Sequence, residues 1–227
     1  MTHDELGALV VERALLEGDF VLRSGRRSSW YLDKYRFETE PEILRALGEA
    51  LAATVSECEP DVVRLAGPAL GGVALAASAA MASGVPFIIV RGETKEYGTA
   101  QRIEGPFTPG ELVCLLEDVV TSGGALAEAV SAVRAEGLVV RNAVCVVDRE
   151  EGGSDALARL GVRLRALFRA SELLELHKTP GKQRGSAKSE GVLGSFGSVN
   201  RIRRQEERSD QAGFRGRRSR FGRHVQA

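Results

Sequence analysis

The chain has 227 residues, 43% of them apolar, enough for a substantial core in one domain plus an appendage. Its formal net charge of zero hides two segments: 18 Lys/Arg against 27 Asp/Glu through residue 177, a net of −9, and 13 against 4 beyond it, a net of +9. No apolar run nears the ~18 residues of a membrane span, no signal segment opens the sequence, and Cys58, Cys114 and Cys145 lack metal-ligand spacing, so the expectation is a cytoplasmic protein with buried reduced thiols.

In chain order, residues 4–17 carry Leu6, Leu9, Val10, Ala14 and Leu16 largely on one face, which predicts an amphipathic helix ending at Gly18. Residues 20–23 and 29–33 read as strands around a Ser-Gly-Arg-Arg turn, a hairpin bearing Arg23, Arg26, Arg27, Trp30 and Tyr31. Those groups suit anions and flat rings; a solvated turn with its aromatics against the core has the same composition. Pro41 opens a second helix, with an apolar stripe of Ile43, Leu44, Leu47, Leu51 and Val55.

From there strand, loop and helix alternate. Strands are expected at 62–66, 86–90, 112–116, 143–148 and 165–168, with helices at 73–83 and 125–136. This alternation gives an α/β fold, a mostly parallel sheet flanked by helices on both faces, with ligands at the carboxyl ends of the strands. Three loops leave those ends. The one after Val90 is long and polar, with Arg91, Lys95, Tyr97 and Arg102. Such a loop suits a diphosphate and closure against water, although a charged solvated hairpin fits equally well.

The stretch VCLLEDVVTSGGA at 113–125 organises the rest. A buried strand is expected to stop at Glu117 and Asp118, whose carboxylates can accept hydrogen bonds from sugar hydroxyls. After Val119 and Val120, the small residues Thr121, Ser122, Gly123, Gly124 and Ala125 lead into a helix whose first N–H groups and dipole favour an anion. Together they describe a holder for a phosphorylated sugar.

This stretch resembles the phosphoribosyl diphosphate motif of type I phosphoribosyltransferases. Four further segments resemble the orotate phosphoribosyltransferases within that class: GDFVLRSGRRSSWYLDKYRF at 18–37, AGPALGGVALA at 66–76, VRGETKEYGT at 90–99 and VVDREEGG at 146–153. The resemblance implies the type I phosphoribosyltransferase fold with an N-terminal hairpin hood over residues 1–176, and a basic, disorder-like tail over 177–227 outside it. It implies transfer of 5-phosphoribosyl to orotate in pyrimidine synthesis, with Mg²⁺ held mainly by substrate, in a homodimer whose sites are shared between subunits. By the same resemblance, Glu117 and Asp118 hold the ribose hydroxyls and 121–125 the 5′-phosphate. Arg91, Lys95 and Tyr97 fall on the diphosphate side, and Lys95 and Asp118 carry the chemistry. Arg149 pairs with the orotate carboxylate, alongside Thr121, Arg23 and Tyr31.

Departures from the family pattern are Gly92 for a lysine, Tyr97 for a histidine, Gly71 for a lysine in some members and Arg23 for a lysine. Two alternatives therefore stay open: a phosphoribosyl-diphosphate-sensing regulator with weak catalysis, and a phosphoribosyltransferase for another base. Nucleic acid enters only through the basic tail, which carries phosphate-binding charge without a recognisable motif.

Overall fold

The computed structural model describes residues 1–21, 25, 27–92 and 102–178. Helix α1 (His3–Ala14) opens on a capping box, in which the Glu5 N–H donates to the Thr2 hydroxyl and the Thr2 N–H to the Glu5 carboxylate. It ends before the position its apolar spacing predicts. Leu15, Leu16 and Glu17 pair with Leu32, Tyr31 and Trp30, so the last expected helical turn is instead the start of β1 (Leu15–Val21), antiparallel to β2 (Arg27–Leu32). The ladder with β2 satisfies the same backbone groups and overrides the helical pattern.

A short helix α2 (Tyr35–Glu38), absent from the sequence reading, leads to α3 (Pro41–Cys58). Then follow β3 (Arg64–Pro68), α4 (Gly71–Ser83), β4 (Phe87–Val90), β5 (Ile103–Glu104), β6 (Leu112–Val120), α5 (Gly124–Ala135), β7 (Val139–Asp148), α6 (Gly153–Ala158), β8 (Arg163–Arg169) and α7 (Ala170–Lys178). The main sheet runs β5-β4-β3-β6-β7-β8, parallel throughout except for β5. Strands β3, β6 and β7 are central, and their alternate side chains build two cores. Cys114, Leu116, Val144 and Val146 pack with α1, α3 and α4 on one face; Val113, Leu115, Ala143 and Cys145 pack with α5 and α6 on the other. The expected doubly covered sheet is thus present.

Strand β6 does not stop at the acids. Val119 and Val120 continue the ladder opposite Val147 and Asp148, so Glu117 and Asp118 lie inside a paired strand rather than in a solvated loop. Hydrogen bonding to β7 carries the extended conformation past the end of the apolar run.

Helices α3 and α4 meet where Gly48 faces Ser78. A Cβ at Gly48 would lie 2.1 Å from the Ser78 Oγ and 2.8 Å from its carbonyl carbon, so the helices would have to separate. Gly48→Ala is expected to destabilise the fold by about 1–3 kcal/mol, the usual cost of overpacking, read as a lowered Tm with unchanged secondary-structure signal at low temperature.

Candidate active site

The carboxyl ends of β3, β4, β6 and β7 lie side by side, and the candidate residues are drawn from them. Asp118 is 1% exposed and Glu117 8%. One Asp118 oxygen accepts from the Lys34 ammonium at 2.5 Å, the other from the Val119 N–H, while the Asp118 N–H donates to Glu117 Oε1 at 3.2 Å. Gly71, the first residue of α4, faces the same carboxylate: a Cβ there would sit 1.5 Å from Asp118 Oδ2. Glu38 from α2 completes the group. It is buried, and its Oε1 has no hydrogen-bond partner.

Burial, then the neighbouring Asp118, pushes Glu38 and Glu117 each up to about 8. For Lys34, burial disfavours the charged form, but Asp118, Glu117 and Glu38 outweigh it and raise the ammonium above its ordinary value. A carboxyl whose folded value lies above its unfolded one binds extra protons in the native state, so its contribution to stability falls as pH rises from about 4.5 to about 8. Glu38→Gln removes that loss and is expected to gain about 1–2 kcal/mol over wild type at alkaline pH, with no gain in acid, measured by denaturant melts at both pH values.

Beyond β6, Thr121 and Ser122 are exposed, and Gly123 adopts φ +81° to turn the chain into α5. No side chain caps α5, so its first N–H groups have no capping side chain as a partner, in a turn suited to a phosphate. The turn rests on α6, which the sequence reading missed. A Cβ on Gly153 would lie 2.4 Å from Val120 Cγ1 and 2.7 Å from the Thr121 carbonyl oxygen, and one on Gly123 3.0 Å from the Gly153 carbonyl oxygen, so these two facing glycines allow the close approach.

Arg149 follows β7, and its N–H donates to the Val120 carbonyl at 2.9 Å, tying it to the end of β6. Its side chain is 10% exposed, with Nε 3.1 Å from Glu151 and the guanidinium carbon 4.5 Å from the centre of the Trp30 ring. The hairpin thus does reach the site, through Trp30. Tyr31 projects to the opposite side of β2, half exposed and 5.6 Å from Phe20 between ring centres. Arg91 stands at the base of the long loop, 3.5 Å from Glu104, and its backbone carbonyl accepts from the Arg102 guanidinium. Arg23, Lys95 and Tyr97 lie outside the described residues.

The structure brings together the acids, the turn and Arg149 singled out in the sequence, and sets beside them Lys34, Glu38 and Trp30, to which the sequence reading gave no site role. All three sit within the quoted hairpin segment or one residue beyond it. Their one available signal was a cation and aromatics gathered next to a motif with an anionic ligand.

No protein-family model matches the chain. It is 48% identical over 174 residues to an orotate phosphoribosyltransferase from Halobacterium salinarum, an alignment covering 77% of this chain and 97% of the relative. Among solved structures it is similar to the orotate phosphoribosyltransferase of Aeropyrum pernix, with a TM-score of 0.70 and 34% identity over 76% of this chain and 98% of that one. It is also similar to the Mycobacterium tuberculosis orotate phosphoribosyltransferase in complex with 5-phospho-alpha-D-ribosyl 1-diphosphate, with a TM-score of 0.64 and 27% identity over 75% and 98%. With nearly the full length of these relatives matched, and a doubly covered sheet bearing an N-terminal hairpin in common with the expected fold, the chain belongs to the orotate phosphoribosyltransferase family.

Proposed function

We infer that the protein transfers the 5-phosphoribosyl group of phosphoribosyl diphosphate to orotate, giving orotidine 5′-phosphate and diphosphate in pyrimidine biosynthesis. The observation that carries this reading is the hydrogen bond from the Arg149 N–H to the Val120 carbonyl. It puts a guanidinium suited to the orotate carboxylate directly beside the strand end that holds the sugar acids and the phosphate turn.

The work of the chain is positioning and charge stabilisation. Displacement of diphosphate leaves positive charge on the ribose ring and negative charge on the leaving group, so acids are needed by the former and cations by the latter. Glu117 and Asp118 accept from the ribose hydroxyls, and the turn at 121–125 binds the 5′-phosphate. Arg149 orients orotate so that its ring nitrogen faces the anomeric carbon. Arg91, Lys95 and Tyr97 serve the diphosphate, and Arg23 borders the base, whereas Tyr31 lies on the face of β2 turned away from Arg149.

Mg²⁺ keeps several waters and binds through substrate phosphates, where it would neutralise the departing diphosphate. The same reading makes the protein a homodimer in which Lys95 serves the partner's site. It is cytoplasmic, in keeping with the lack, among the described residues, of any helix long and apolar enough to cross a membrane. The segment beyond residue 177, with its net charge of +9, is suited to phosphate contacts with nucleic acid.

Lys95→Ala is expected to lower turnover at least ~10-fold, equivalent to about 1.4 kcal/mol, and unchanged orotidylate formation would take the loop out of the mechanism. The function is tested by incubating the protein with Mg²⁺, phosphoribosyl diphosphate and either orotate, uracil or a purine base. Loss of orotate absorbance with diphosphate release, and no consumption of the other bases, is the expected result; turnover of a purine instead would reject it, and binding of phosphoribosyl diphosphate without turnover would point to a regulator.

A further inference from the structure

Three carboxyl groups and one ammonium meet at the donor half of the site. Glu117 and Asp118 come from β6, Glu38 from α2, and Lys34 from the turn that joins β2 to α2. Around them, among the described residues, lie Tyr35, whose ring centre is 5.3 Å from the Lys34 ammonium, Asp33, which acts on Glu38 and is paired with Arg36, and the Cys145 thiol of β7, which feels Asp148, Glu117 and Asp118. From α4 there is only Gly71, without a side chain.

Side-chain exposure is 32% for Lys34 and 2% for Asp118, so the cation approaches from the solvent side while the carboxylate lies beneath it. A Cβ at residue 71 would point at both, 1.5 Å from Asp118 Oδ2 and 3.1 Å from Lys34 Nζ. The missing side chain at 71 is therefore what lets Asp118 turn this way, and the ammonium of Lys34 lies next to the space that a side chain there would enter.

We propose that Lys34 is a positioning residue for the phosphoribosyl donor: its ammonium holds the Asp118 side chain against Gly71, aimed at the ribose hydroxyls, and offsets the crowding of acids around it. The proposal rests on the reading of those acids as the sugar holder. Two acids side by side in a buried strand repel each other, and a third from α2 adds to the repulsion. The Lys34 charge opposes protonation of both Glu38 and Glu117. Removing it while keeping the acids leaves the cluster to protonate, and a protonated acid offers the diol fewer acceptor sites.

The test is calorimetric binding of phosphoribosyl diphosphate with Mg²⁺ to wild type, Lys34→Gln and Lys34→Arg, from neutral to alkaline pH. Glutamine keeps a hydrogen-bond donor for Asp118 and loses only the charge, which favours a folded variant. Thermal melts check that both variants match wild type.

In wild type, affinity is expected to rise as pH passes through about 8, the value to which burial and Asp118 push both the Glu117 and the Glu38 carboxyl. Lys34→Gln is expected to bind at least ~10-fold more weakly at neutral pH, with that rise displaced to higher pH, whereas Lys34→Arg keeps the wild-type profile. A Lys34→Gln profile that overlays wild type, or tighter binding by that variant, would overturn the role given to Lys34 and leave the sugar-holder reading in place. A wild type that binds no phosphoribosyl diphosphate would remove both. Orotate takes no part in the measurement, so the result is independent of the acceptor base.

Discussion

Asp118→Asn is expected to lower kcat/KM for phosphoribosyl diphosphate by about 10²–10³-fold, the range seen when one preorganised electrostatic partner of a transition state is removed. The substitution is nearly isosteric. It keeps a carbonyl oxygen for Lys34, fits against Gly71 as the aspartate does, and leaves the strand paired to β7. What changes is charge. On the proposed reading the carboxylate faces the ribose as positive charge develops; in the variant that charge is lost while Lys34 keeps only Glu117 and Glu38 as acidic neighbours, so the attraction is weakened in a buried site.

Glu117→Gln should do less at neutral pH. Glu117 is held up to about 8, so a neutral side chain already predominates there. Steady-state kinetics of the two variants at pH 7, with melts to confirm folding, separate these effects. Equal losses would show that both acids act as charges, against the environment described.

The second large effect belongs to Arg149. Arg149→Met is expected to raise the KM for orotate and lower kcat/KM by about 10–150-fold, the worth of ~1.5–3 kcal/mol for a hydrogen bond to a charged group, with the affinity for phosphoribosyl diphosphate changed far less. Methionine retains the apolar stem against Trp30, so packing survives while the fork of donors is lost. Lysine at 149 should rescue poorly. A point charge neither stacks on the indole as a planar guanidinium does nor presents two parallel donors to a carboxylate. A rise in both substrates' KM by the same factor would instead mark Arg149 as a general support of the strand ends.

Much of the architecture could be read from the chain because its signals are local. Pro41 and the stripe from Ile43 to Val55 describe α3, and the run around Leu115 describes a strand buried on both faces, as its place beside β3 and β7 requires. The acids, the turn and Arg149 lie at strand ends, where parallel topology alone gathers them. Elements set by tertiary pairing were harder to see. Residues 15–17 continue a helical pattern, yet pair with β2; the strand carrying the acids runs to Val120 because β7 lies beside it. Helix α6 is only six residues long, and its start is fixed by packing at Gly153 rather than by periodicity.

The site's supporting charges were the least visible. Lys34 is 84 positions from Asp118 in sequence, and nothing in the spacing of either residue announces the pair. Trp30 and Tyr31 are neighbours of similar chemistry. Only the pleat of β2, which sends them to opposite faces, decides which one meets Arg149.

The account stands on a single two-substrate site, with the sugar phosphate at the end of β6 and the carboxylate of the base at Arg149. The most direct measurement is the ratio of affinities for orotidine 5′-phosphate and uridine 5′-phosphate, which differ by that carboxylate alone. Wild type is predicted to favour orotidine 5′-phosphate at least ~10-fold, and Arg149→Met to bind the two nearly alike. Equal affinities in wild type, or a preference that survives in Arg149→Met, would contradict it.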